Sequence, residues 1–90
     1  MKQPKQGKGF EFPCAYQIKA MGHDDGDFRE LVIEIIERHV AKIAPQQISC
    51  RPSRNGKYLS VSVSIEARSR EHLDAIYDDL TAHQKVLMRL

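Results

Sequence analysis

Residues 58–67, Tyr-Leu-Ser-Val-Ser-Val-Ser-Ile-Glu-Ala, alternate between apolar and polar positions without interruption. Leu59, Val61, Val63, Ile65 and Ala67 fall on one side, and Ser60, Ser62, Ser64 and Glu66 on the other. A period of two over this length predicts a strand with one dry face and one wet face. Each large aliphatic side chain buried there contributes about 1.5–3 kcal/mol, so this strand is the natural centre of a core.

A similar alternation predicts a first strand over 12–21, with Pro13 near its start and Cys14, Tyr16, Ile18 and Ala20 on the core face. Ala15, Gln17 and Lys19 take the other face. Gly22-His23-Asp24-Asp25-Gly26 reads as a loop, followed by Asp27 as a helix cap with Glu30 completing an acidic capping box. Phe28, Leu31, Val32, Ile35, Ile36, His39 and Val40 form a stripe at helical spacing, while Ile33 stands outside it. The helix ends before Pro45, and Glu34 and Arg38 are spaced to pair on its wet side.

Gln46–Ser53 reads as a second strand, joined to the third through Asn55-Gly56, a hairpin signal. A hairpin symmetric about that pair sets 52 against 59, 50 against 61 and 48 against 63. Pro52, Cys50 and Ile48 then share the dry face with Leu59, Val61 and Val63, and a one-residue slip would destroy the agreement. Pro52 marks a sheet edge. Ser69 caps a second helix with Leu73, Ile76, Tyr77 and Leu80 inward and Asp74, Asp78 and Asp79 solvated; Val86, Met88 and Leu90 alternate in a terminal strand. The βαββαβ order predicts an α+β, ferredoxin-like two-layer sandwich over 12–90. Its antiparallel sheet has order 4-1-3-2, with two helices on one face.

Ninety residues make one domain with a modest core, and no apolar run approaches a membrane span. The N-terminus lacks the apolar segment of a secretory signal, so a cytoplasmic location is expected. The net charge of +2 resides in residues 1–11, where Lys2, Lys5 and Lys8 outnumber Glu11. That stretch reads as a flexible tail, and the remainder is neutral, which argues against a strong nucleic-acid binder.

Several markers together resemble a known family. They are Phe12-Pro13, Met21-Gly22, Arg38-His39, Arg51-Pro52-Ser53, Gly56, Tyr58, Ser60-Val61-Ser62, the run from Tyr77 to Leu80, and the ending Val86, Met88, Leu90. They are similar to the small bacterial YbeD-like proteins. The resemblance implies a ferredoxin-like domain close in shape to ACT regulatory domains, which bind small ligands such as amino acids. It also implies a proposed role in regulating lipoate metabolism, with no established catalytic residues and no cofactor to carry over.

Candidate chemistry is sparse. Cys14 and Cys50 are both expected inward on strands separated by a third, about 9–10 Å apart and too far for a disulfide. His23 with Asp24 and Asp25 would make an oxygen-rich metal site, but no repeated ligand spacing supports one, and acids before a helix suit its dipole. His39 is explained by a helix C-terminus. Gly22, Gly26, Phe28 and Arg29 resemble the anion cradle of acylphosphatases, but with altered spacing and three aspartates that would repel an anion. An RNA-recognition module shares the topology but needs aromatic platforms where this sheet carries serines.

The expected function is therefore a non-catalytic regulatory or adaptor domain, through protein contact or an ACT-like small-ligand contact. An RRM-like RNA-binding module and an acylphosphatase-like enzyme are the alternatives. The first place for a small metabolite is Gly22, His23, Asp24, Asp25 and Gly26, where glycines allow close approach but equally suit a turn. The expected surface for a protein partner or self-association is the open sheet face: Lys19, Arg51, Ser60, Ser62 and Ser64, with Leu87 and Arg89 at its edge.

Overall fold

The computed structural model describes residues 11–89. They run β1 (Cys14–His23), α1 (Phe28–Glu37), a 3₁₀ turn (Pro45–Gln47), β2 (Ile48–Pro52), β3 (Tyr58–Ala67), α2 (Arg70–Ala82) and β4 (Met88–Arg89). The expected tail lies outside the described residues apart from Glu11, as does Leu90.

β1 and β3 pair antiparallel along their whole length, from Cys14 opposite Ala67 to His23 opposite Tyr58. β2 pairs with the other edge of β3, and β4 adds two residues beside β1, so the sheet runs β2-β3-β1-β4. The small α+β architecture expected from the pattern is present. The hairpin register is also the expected one, with Pro52 opposite Leu59, Cys50 opposite Val61 and Ile48 opposite Val63. Gly56 takes a positive φ of 74° in the turn, where a side chain would be strained.

The core forms where α1 and α2 lie over β1 and β3. Ile18, Val61 and Val63 from the sheet meet Phe28, Val32, Ile35 and Ile36 from α1 and Leu73, Ile76 and Leu80 from α2, all buried. Ile33, outside the main stripe, is partly buried and packs against this cluster. Ser69 Oγ accepts from the His72 N–H at 3.0 Å, the expected cap of α2.

Five expectations fail. β2 is exposed along most of its length, Cys50 and Pro52 included, because the helices lie over its neighbours and only Ile48 reaches the core's margin. Cys50 is therefore not inward. It is also displaced along the sheet from Cys14: their β3 partners are Val61 and Ala67, six residues or about 20 Å apart. Helix α1 ends at Glu37, which leaves His39 and Val40 in the following loop. The capping box does not form: Asp27 makes no side-chain cap, its own N–H donates to Asp25 Oδ1 at 3.0 Å, and Glu30 pairs with Arg29 at 2.6 Å.

The last strand has the opposite phase. Met88 stands opposite Met21 on the open side and is 49% exposed, and the backbone of residue 89 pairs with that of Ala20.

Candidate functional site

Register builds the open sheet face row by row. Ser49, Ser62 and Lys19 form one row; Arg51, Ser60, Met21 and Met88 form the next; Tyr58 and His23 close the end. Residues directly opposite in a sheet share a face, so these side chains project together. Lys19, Arg51, Ser49 and Ser64 are exposed, while Ser60 and Ser62 are half-buried between longer neighbours. The register brings Lys19, Arg51, Ser60, Ser62 and Ser64 to one face of the sheet. Leu87 lies beside the rim, 52% exposed, with its N–H donated to the Met21 carbonyl at 2.8 Å.

Met21 and Met88 give this surface an apolar flank. The pattern hides it because a two-residue strand carries too little alternation to set its own phase. His23 and Tyr58 stack with ring centroids 5.1 Å apart, and Lys57 Nζ lies 5.7 Å from the Tyr58 centroid. These rings engage each other at the end of the sheet, whereas RNA modules display their platforms over the central strands.

The 22–26 segment is not the open loop the sequence implied. Gly22 and His23 belong to β1, and Gly22 is buried. A Cβ at Gly22 would collide with the Phe28 ring and the Lys85 carbonyl, so the missing side chain makes room for packing within the chain. Gly26 has a φ of 92° with open space around it, the mark of a turn. Asp25 Oδ2 accepts from Lys85 Nζ at 3.0 Å, tying this segment to the approach to β4. Arg29 is held by Glu30. The anion-cradle geometry is accordingly absent from 22–29. Among the described residues no group of three or more His, Cys, Asp or Glu side chains is placed to hold a metal ion.

The Lys85 ammonium holds the Asp25 carboxyl below its usual range, and Asp25 in turn raises Lys85. A lowered carboxyl favours the folded state above its unfolded pKa, and that support is lost as pH falls through the folded value. The raised ammonium contributes below its unfolded pKa and loses that support as pH rises through the folded value. Asp25→Asn should therefore lower the melting temperature slightly at neutral pH. The difference should hold down to about pH 4 and shrink only as pH falls further, through the lowered Asp25 value, which thermal scans across pH will measure.

A second cluster has no signal in the local pattern. His39 Nε2 donates to Asp79 Oδ2 at 2.6 Å. His72 Nε2 donates to the His39 carbonyl at 2.9 Å, and its Nδ1 accepts from the Arg68 N–H at 3.1 Å. Asp79, expected on a purely solvated face, is instead part of a link between α2 and the loop after α1.

The comparisons with known proteins agree in direction. Residues 8–90 match a family model described as "Protein of unknown function (DUF493)". A UPF0250 protein of Hahella chejuensis is 42% identical over 86 residues, covering 96% of this chain and 94% of that protein. One from Ectopseudomonas mendocina is 47% identical over 81 residues, covering 89% and 88%. The solution structure of protein HP0495 from H. pylori superposes with a TM-score of 0.69 at 19% identity, over 90% of this chain and 85% of that one, a likeness of fold. No helix among the described residues is long and apolar enough to cross a membrane.

Proposed function

This chain belongs to the DUF493 (UPF0250) family, and from that premise we propose that it is a non-catalytic adaptor or regulatory domain of ferredoxin-like form that binds another protein through its open sheet face. The observation that carries the reading is the surface itself. Small serines lie between Lys19 and Arg51, flanked by Met21, Met88 and Leu87. Small side chains admit close approach, and exposed methionine and leucine supply adaptable apolar contact. The two cations fit an acidic partner and disfavour a face-to-face pair of identical copies, which would bring like charges together. The 22–26 segment supports a small-ligand reading less well, because the space beside Gly22 is filled by Phe28 and Lys85 and Gly26 stands exposed in a turn.

The test is site-specific photocrosslinking in cells. With Ser62→p-benzoylphenylalanine, a discrete heterologous adduct is expected, reduced about tenfold or more by Lys19→Glu with Arg51→Glu. Equal capture from the same residue placed at Asp78 on α2, a self-adduct alone, or indifference to the charge reversals would overturn the reading.

A further inference from the structure

The loop of residues 38–44 has no regular structure, yet its backbone is held at several points. The Ile43 N–H donates to Glu37 Oε2 at 2.8 Å, and the Ile43 side chain enters the core. Gln47 accepts from the Ala44 N–H through Oε1 and donates through Nε2 to the Ser64 carbonyl, both at 2.8 Å. His72 grips the His39 carbonyl and the Arg68 N–H, so one imidazole fastens the loop to the end of β3. A segment held this way loses little further freedom on binding.

Between this loop and the end of β3 lies an open groove of about 510 Å³. Val40, Ala41 and Ile65 give it an apolar part, and Arg38, Lys42 and Arg68 bring three cationic groups to it. Glu66 is the one acidic residue lining it. Among the described residues Lys42 and Arg68 have no ionic partner, and Arg38 approaches Glu34 only at 4.0 Å on the surface. Both histidines are already committed, His39 to Asp79 and His72 to two backbone groups.

We propose that this groove is a binding site for a phosphorylated small molecule. Its phosphate sits among Arg38, Lys42 and Arg68, and its carbon skeleton lies along Val40, Ala41 and Ile65. Three fixed positive charges opposed by Glu66 leave an excess of two, close to the charge of a phosphate monoester at neutral pH. Guanidinium groups offer forked donors that match phosphate oxygens, and the lysine adds a point charge. Because all three cationic side chains are exposed, affinity for a simple probe is expected near 1 mM. The groove uses none of the residues assigned above to the partner surface, so either reading can fail alone.

Phenyl phosphate titrated at constant ionic strength into the isotope-labelled protein is the test, read by amide NMR. Saturable shifts are expected, concentrated in 38–44 and 65–72. They should weaken at least tenfold in Lys42→Gln with Arg68→Gln and persist in Lys19→Gln with Arg51→Gln. Absence of saturation to about 10 mM, or equal binding by the groove variant, would overturn the proposal. Should the groove variant alter the fold, Glu66→Gln decides instead. Removing the repelling carboxylate should tighten binding about two- to threefold, and unchanged or weaker binding would overturn the proposal.

Discussion

Phe28→Ala is expected to lower the unfolding free energy by about 3–5 kcal/mol, the usual cost of emptying a buried aromatic site. Phe28 is 1% exposed and opens α1, where it fills the space that Gly22 leaves beside it and joins β1 to the helix layer. A domain of this size has a total stability of about 4–13 kcal/mol, so the variant would lose a large fraction of it. Urea unfolding measures the effect. Phe28→Leu, which keeps most of the volume, should cost less than about 1.5 kcal/mol. A loss below 1 kcal/mol for the alanine variant would mean that Phe28 is not in the core.

Gly22→Ala is expected to destabilise by about 1–3 kcal/mol even though it adds a single methyl group. The new carbon would lie 2.8 Å from Phe28 Cδ1 and closer still to Phe28 Cε1 and the Lys85 carbonyl. A ring can turn aside, but a backbone carbonyl moves only with its chain. The approach to β4 should therefore loosen, seen as faster hydrogen exchange at the Leu87 N–H, which is bonded to the Met21 carbonyl. In the Phe28→Ala background part of the clash disappears, so the two substitutions should couple by about 0.5–3 kcal/mol in a double-mutant cycle. Strict additivity would contradict the packing.

How much of this was legible in the sequence depends on the range of the interaction. The alternation of β3 and the Asn55-Gly56 turn predict the hairpin register, because strand period and turn geometry are local. Ser69 predicts its cap for the same reason. The exposure of Cys50 was not legible: alternation says which side chains share a face, not whether a helix lies above them. Gly22 looked like a loop glycine because the Phe28 ring that occupies its space is brought there by the fold. The Asp79–His39–His72 link joins positions up to forty residues apart, and no spacing rule reaches that far. The serine surface was read from β3 itself, whereas its methionine flank depended on a two-residue strand whose phase only pairing defines.

The sheet is two-sided, covered by helices on one side and bare on the other. Thiol reactivity along β3 tests this most directly, in a chain with Cys14→Ser and Cys50→Ser and single cysteines introduced by Ser60→Cys, Val61→Cys, Ser62→Cys and Val63→Cys. Positions 60 and 62 should react readily with maleimide in the folded protein, and 61 and 63 only after unfolding. Equal reactivity at neighbouring positions, or protection at 60 and 62 in the purified protein, would contradict it.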